Sequence, residues 1–242
     1  MEYKERTYRL LGENKDLVEF FVKVKETDLL VKAKKNLQKK TIKIVEKYRY
    51  ELEKYIKGNK LFLESLKPID TDDTAPHIVK EMIRYAQIVG VGPMAGIAGA
   101  MALYIGKRLK KYTDEFIIEN GGDIALLTKK ERIIYIYTGE ESPFKEKIFL
   151  KIAPKDEIYG IATSSGKIGP SLSFGKADTV TILSPSPILS DMVATKIGNL
   201  IKSSDDIERA IYEGKKIQGV DGILITIGDK IGIWGDVNLY KL

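Results

Sequence analysis

The amino-acid sequence predicts an α+β fold. Apolar residues recur at helical spacing over a long stretch of the N-terminal half, whereas the later part of the chain consists mostly of short apolar runs separated by turn residues. Two of the last runs are joined by Gly228 and Asp229, a pair typical of a tight β-hairpin. The length of 242 residues, 43% of them hydrophobic, suits one large domain with a sizeable core.

The predicted elements of the N-terminal half are one strand and a series of helices. In chain order they are a strand at residues 17–24, a turn at 26–28, and helices at 30–56, 75–89 and 94–110. Gly58 and Asn59 end the first of these helices. Thr74 is a suitable N-cap for the second helix, and Pro76 lies in its first turn, where proline is tolerated.

The C-terminal half is predicted to alternate short strands with two helices. The strands lie at residues 115–119, 124–127, 133–137, 148–153, 158–162, 179–183, 222–227 and 230–234, and the helices at 187–201 and 205–212. Glycine-rich and hydroxyl-rich loops follow several of these strands. Loops at strand ends are where binding sites usually lie.

The residue types present exclude several kinds of chemistry. The chain has no cysteine, which excludes disulfides, thiolate metal sites and cysteine nucleophiles. It has one histidine, His77, so a histidine-rich metal site is excluded as well. His77 lies near a predicted helix start, where a histidine is more often a surface residue than a ligand, and we predict that it is dispensable for activity.

The charge and hydropathy pattern restricts the partners. The net charge is +6, but Lys and Arg share their helices with Glu and form no stripe interleaved with aromatic residues, so no nucleic-acid binding is expected. A positive surface would instead attract an anionic nucleotide-type small molecule. No run approaches the roughly 18 apolar residues of a membrane span, and the N-terminus leads into no signal segment, so we expect no membrane partner and a cytoplasmic location. A homo-oligomer is left open.

Gly90 and Gly92, before the third helix, form one candidate binding segment. Amides at a helix N-terminus attract anions, although this segment lacks the spacing of the dinucleotide fingerprint. The helix itself carries Gly96 and Gly99 on one face, which indicates that something approaches that face closely. Either a strand packs against the face or a ligand rests on it.

Two polar loops at predicted strand ends form a second candidate site. The residues are Asn120, Gly121, Gly122 and Asp123 in the first loop, and Thr163, Ser164, Ser165 and Gly166 in the second. Two adjacent glycines permit positive φ and leave amides open, and the hydroxyls of the second loop could hold a phosphate or a ring carbonyl. Each loop taken alone could equally be an ordinary turn.

Asp191 and Thr195 lie four residues apart on a predicted helix, so they share a face. Such a pair is most often a surface pair, but its oxygen atoms would suit Mg²⁺, which takes few protein ligands. If Asp191 is buried, its carboxylate needs a partner. A metal ion, backbone amides or the Lys176 ammonium could supply one.

Taken together, these segments resemble the ApbE family, whose best-known members are magnesium-dependent FAD:protein FMN transferases. The matching segments occur in the family's order at residues 96–99, 120–124, 163–166 and 177–195. A shorter branch of that family is more similar still, over nearly the whole chain, through residues 26–29, 90–95, 119–123 and 160–178. The resemblance implies one domain over residues 1–242, with a mostly antiparallel sheet and a helical N-terminal third.

The resemblance also implies ligands. In the family's pattern, Mg²⁺ would be bound by the Ala98 carbonyl, the Asp191 carboxylate and the Thr195 hydroxyl, and FAD or FMN would lie along the loops at residues 120–123 and 163–166. The shorter branch is associated with sulfide assimilation in anaerobes, which implies a role in sulfur metabolism.

One segment departs from the family's pattern. Where the transferases carry Ser-His-Ile-(Ile)-Asp-Pro, residues 170–176 read Pro-Ser-Leu-Ser-Phe-Gly-Lys, without the histidine and the Asp-Pro pair. Two functions therefore stay open, and no catalytic residue is assigned. One is an enzyme that transfers FMN or cleaves the pyrophosphate of FAD; the other is a non-catalytic flavin-binding accessory protein.

Overall fold

The computed structural model describes residues 14–166 and 175–240, which form eleven strands and six α-helices. The strands are β1 (Val18–Val24), β2 (Thr27–Ala33), β3 (Phe116–Asn120), β4 (Asp123–Thr128), β5 (Arg132–Tyr135), β6 (Phe149–Ile152), β7 (Lys155–Ser164), β8 (Thr179–Ser184), β9 (Gly222–Ile227), β10 (Lys230–Gly235) and β11 (Leu239–Tyr240). The helices are α1 (Gln38–Gly58), α2 (Lys60–Glu64), α3 (His77–Val89), α4 (Ile97–Leu109), α5 (Pro187–Leu200) and α6 (Ile207–Lys215). Short 3₁₀ turns at Pro93–Gly96 and Ser204–Asp206 lead into α4 and α6.

Eight strands form one sheet in the order β1-β2-β3-β4-β7-β8-β9-β10, and every neighbouring pair is antiparallel. A second antiparallel sheet contains β11, β6 and β5. The predicted α+β class and mostly antiparallel sheet are thus confirmed. Because β4 and β7 are adjacent, the β3–β4 hairpin and the end of β7 meet at one edge of the large sheet.

The large sheet separates two hydrophobic cores. Successive residues of a strand point to opposite faces, and in β3 Ile118 packs under the helices whereas Ile117 packs toward the small sheet. Ile182 and Leu183 of β8 divide in the same way. The result is three layers: helices, the eight-stranded sheet, and the three-stranded sheet.

The largest correction to the predicted elements is β2. Residues 27–33 form a strand, not a turn followed by the start of a helix, and α1 begins only at Gln38. β2 lies between β1 and β3, and successive residues from Leu29 to Val31 are buried, so both of its faces are covered and its apolar residues run on without alternation. The hairpin turn is at Lys25, whose φ of 53° is unusual for a residue other than glycine. β11 was not predicted either.

Among the described residues, no single helix is long and apolar enough to cross a bilayer. α3 together with the segment Pro93–Leu109 has the required length and composition, but the pair is bent by 107° at the break.

The start of α5 packs unusually close to α4 and β7. A Cβ atom at Gly99 would lie 2.1 Å from the Pro187 carbonyl oxygen, and one at Gly96 would lie 2.6 Å from Met192 Cε. A Cβ atom at Gly160 of β7 would lie 2.5 Å from Pro187 Cα. α5 therefore packs against the face that carries Gly96 and Gly99. Of the two interpretations of this face, packing is the one observed, although the partner is a helix and not the strand that was predicted.

We predict that Gly160→Ala lowers the free energy of unfolding by about 1–3 kcal/mol, because the new methyl group would overlap the backbone of α5. Gly58→Ala is the matched control, since nothing lies within 4 Å of a Cβ atom there. It should leave stability unchanged or raise it slightly. Urea denaturation of both variants measures the difference, and equal stabilities would contradict the close approach of α5.

Candidate functional site

The hairpin between β3 and β4 is a two-residue turn. Gly121 and Gly122 have φ of 70° and 104°, a conformation that side chains other than glycine adopt at a cost. Glu119 accepts a hydrogen bond from the Gly122 amide at 2.8 Å, so this amide is not open, contrary to the sequence-based expectation. Glu119 was not among the predicted functional residues, although the pattern Glu-Asn-Gly-Gly places it within reach of that amide.

The loop at residues 163–166 lies directly beside this hairpin. The Thr163 amide donates to the Gly122 carbonyl at 3.2 Å, and the hydroxyls of Thr163 and Thr181 are hydrogen-bonded at 3.0 Å. The Gly166 amide donates to the Ala177 carbonyl at 3.0 Å, which fixes the far end of the loop. The structure thus brings the two predicted loops together, whereas residues 167–174 lie outside the described residues.

Asp191 lies on α5 and is buried, with 8% of its surface exposed. Its carboxylate accepts the Gly99 amide at 2.8 Å and also a hydrogen bond from the Ala98 amide. Burial raises the pKa of Asp191 to about 7, and the two amide hydrogen bonds oppose that rise. Of the three predicted partners of Asp191, which were a metal ion, backbone amides and the Lys176 ammonium, the structure shows the backbone amides.

The start of α4 also contacts the hairpin. Asn120 Nδ2 donates to the Ala98 carbonyl at 3.2 Å, so the peptide group on one side of Ala98 contacts Asn120 and the other contacts Asp191. Thr195 follows Asp191 by one helical turn and is half-buried. A further turn along α5, a Cβ atom at Gly198 would lie 3.5 Å from Ser164 Oγ. One face of α5 therefore runs from the start of α4 to the loop at residues 163–166.

The residues predicted to bind a metal ion fit a hard cation by their chemistry. They offer one carboxylate, one carbonyl and one hydroxyl oxygen, and Mg²⁺ prefers oxygen ligands with few carboxylates. The described residues contain no group of three or more His, Cys, Asp or Glu side chains placed to bind a metal ion. An ionised carboxylate has about four acceptor positions, so two amide hydrogen bonds leave Asp191 able to accept more.

Gly90 and Gly92 have conformational and packing roles. Gly90 has φ of 82°, and its amide caps the end of α3 by donating to the Ala86 carbonyl at 2.7 Å. A Cβ atom at Gly92 would lie 1.8 Å from the Ser65 carbonyl oxygen. These roles explain glycine at both positions, and phosphate binding by this segment stays a prediction.

Lys196 Nζ donates to the Val89 carbonyl at 2.6 Å and so joins α5 to the end of α3.

The chain is similar to known families and structures. The family model described as AbpE bacteria matches residues 9–219. A UPF0280 protein of Methanocaldococcus jannaschii is 42% identical over 219 residues, which cover 88% of this chain and 89% of that protein. A UPF0280 protein of Methanococcus vannielii is 37% identical over 226 residues, which cover 89% of this chain and 90% of that protein.

Two solved structures share the fold. The apo form of the flavinyl transferase ApbE of Pseudomonas stutzeri has a TM-score of 0.58 at 10% identity, covering 94% of this chain and 95% of that chain. The apbe protein of Thermotoga maritima has a TM-score of 0.57 at 10% identity, covering 86% of this chain and 94% of that chain. At these identities the likeness concerns the fold alone.

We predict that Asp191→Ala lowers the free energy of unfolding by about 2–4 kcal/mol, because it leaves the buried Gly99 amide and the half-buried Ala98 amide without this acceptor. Asp191→Asn should cost less, since its carbonyl oxygen can still accept. Asp70→Ala, at an exposed aspartate in a loop, is the control and should change stability by less than about 0.5 kcal/mol. Thermal and urea unfolding measure the stability of each variant. If Asp191→Ala were as stable as the wild type, Asp191 would not be the acceptor that stabilises the start of α4.

Proposed function

Because this chain belongs to the ApbE-like family, within a branch that contains the UPF0280 proteins, we propose that it binds a flavin nucleotide, FAD or FMN, together with Mg²⁺. The binding site is the cluster formed by the hairpin at residues 120–123, the loop at 163–166, the start of α4, and Asp191 with Thr195. The observation that carries the proposal is the convergence of these segments. Residues as far apart in sequence as Gly99 and Asp191 are hydrogen-bonded at 2.8 Å.

The cation would be held by oxygen atoms of three residues. Asp191 supplies the negative charge, and the Ala98 carbonyl and the Thr195 hydroxyl supply neutral oxygens. The Asn120 amide group already contacts the Ala98 carbonyl at 3.2 Å and so orients it. When bound, Mg²⁺ polarises a phosphate of the nucleotide.

The chain's own groups would position the flavin nucleotide. Ser164 ends β7 and Ser165 follows it, near the β3–β4 turn, and their hydroxyls would donate to phosphate or ring oxygens. Glycine at positions 121 and 122 keeps side chains off the turn, so that a ligand can approach the backbone there. The positive net charge of +6 adds a long-range attraction for an anionic nucleotide.

Two reactions and one non-catalytic role are compatible with this site. The enzyme would transfer FMN or cleave the pyrophosphate of FAD, using the cation at Asp191. The non-catalytic alternative is favoured by one observation: the segment at residues 170–176 has no histidine and no Asp-Pro pair. In that case the chain retains the binding site as an accessory protein without the transfer step.

We expect wild-type protein to bind FAD or FMN more tightly with Mg²⁺ than without it, as followed by flavin fluorescence. Asp191→Asn removes the negative charge but keeps the shape and one acceptor oxygen. It should reduce the magnesium-dependent part of the affinity at least tenfold, while the affinity in metal-free buffer changes little. Asn120→Asp tests the neighbouring position, and Asp229→Asn is the surface control. No quenching of either flavin at high micromolar concentration, with and without Mg²⁺, would refute flavin binding.

A mass-spectrometric assay separates the enzyme from the accessory protein. Incubation of the protein with FAD, Mg²⁺ and a candidate acceptor protein should give either a covalent FMN adduct or free FMN if the chain is an enzyme. Asp191→Asn should abolish either product. His77→Ala should retain it, because His77 is exposed at the first residue of α3 and outside this cluster. Loss of product in His77→Ala with an intact fold would contradict the site assignment.

A further inference from the structure

A cleft of about 600 Å³ lies among α1, α3 and α4, on the helical side of the molecule. Its walls carry four cationic side chains and two carboxylates, and its floor contains two tyrosines. The lining residues are Lys47, Tyr48, Glu51, Pro76, His77, Lys80, Glu81, Tyr104, Lys107 and Arg108. None of them belongs to the proposed flavin site, so the cleft is a separate feature of this chain.

The charges of the cleft are arranged unevenly. Lys107 is paired with Glu81 at 2.9 Å, and Lys47 lies 3.7 Å from Glu51. Within residues 14–166 and 175–240, Lys80 and Arg108 form no ion pair. Four cations against two carboxylates leave a net charge of two positive units on the cleft, and Lys80 and Arg108 are its two cations without an ion pair.

Arg108 is held in position for binding an anion. Its Nε donates to the Tyr48 hydroxyl at 3.0 Å, which leaves the two terminal amino groups of the guanidinium to donate elsewhere. A guanidinium can bind two oxygens of one phosphate at the same time. Lys80, three residues after His77 at the start of α3, supplies a second cation on the α3 wall of the cleft.

The floor of the cleft is aromatic and rigid. Tyr48 and Tyr104 are 6% and 7% exposed, and their rings pack edge to face with centroids 5.2 Å apart. The Lys107 ammonium lies 4.4 Å from the Tyr104 ring centroid, so one wall is fixed over the floor. Only a small part of each tyrosine is exposed, so the two residues form a firm base that the organic part of a small ligand can contact without displacing them.

From this cleft we infer a second binding site, for a small phosphate monoester. The dianionic phosphate lies between Lys80 and Arg108, and the organic part rests on the tyrosine floor. A phosphate monoester carries a charge of about −1.5 to −2 at pH 7, which matches the two uncompensated positive charges. The volume of about 600 Å³ is within the range of small-molecule sites and well above the need of a lone inorganic ion.

The test uses AMP as the phosphate monoester and adenosine as its uncharged counterpart, with calorimetric titration of the full-length protein. Lys80→Gln with Arg108→Gln removes both unpaired charges. Lys43→Gln with Lys54→Gln makes the same change in net charge on the exposed side of α1 and is the matched control. We expect AMP to bind at least tenfold more tightly than adenosine, and the cleft double variant to lose at least tenfold in AMP affinity while the control loses less than twofold.

The salt dependence and the flavin titration complete the test. AMP affinity should fall as ionic strength rises, because exposed charges are screened. Flavin binding should be the same in the cleft double variant as in the wild type. The flavin site and the phosphate-monoester site can therefore be refuted independently of each other. An AMP affinity that is undetectable in the wild type, unchanged in the cleft variant, or lowered equally in the control would overturn the second site.

Discussion

The hydrogen bonds between Asp191 and the first amides of α4 are the interaction on which the rest of the site depends. The first amides of any helix have no partner within the helix, and Gly96, which precedes α4, has no side chain that could cap them. Asp191 accepts from Gly99 at 2.8 Å and also from Ala98, ninety-two and ninety-three residues away in sequence. A carboxylate at a helix N-terminus is also stabilised by the helix dipole.

This contact requires the backbones of α4 and α5 to be almost in touch, and glycine makes that possible. At Gly99 a side chain would meet the Pro187 carbonyl oxygen, and at Gly160 it would meet the backbone of Pro187. Once α5 lies there, Gly198, on the same helix face as Asp191 and Thr195, lies close to Ser164. Asn120 then joins the β3–β4 hairpin to the Ala98 carbonyl. Packing and the candidate metal ligands therefore have one common cause.

Local patterns predicted most elements and the turn at Gly121 and Gly122, because periodicity and glycine conformations are properties of short segments. They did not predict β2, since a strand with both faces covered lacks the alternation that identifies a strand. The convergence of the hairpin, α4 and α5 depends on contacts across some ninety residues, and only the family resemblance indicated it. The cleft at Tyr48 and Tyr104 was not predicted, because its residues lie on three helices and form no motif.

We propose that Asp191 serves both α4 and a bound cation. Crystals of the full-length protein grown with Mn²⁺, a magnesium substitute with a usable anomalous signal, test it most directly. We expect an anomalous peak about 2.0–2.2 Å from the Asp191 carboxylate, a distance typical of a magnesium-like oxygen ligand. The Ala98 carbonyl and the Thr195 hydroxyl should be the other protein ligands, with the Gly99 hydrogen bond retained. A peak at another position, or no peak at millimolar Mn²⁺ with a flavin nucleotide present, would show that Asp191 does not bind the cation.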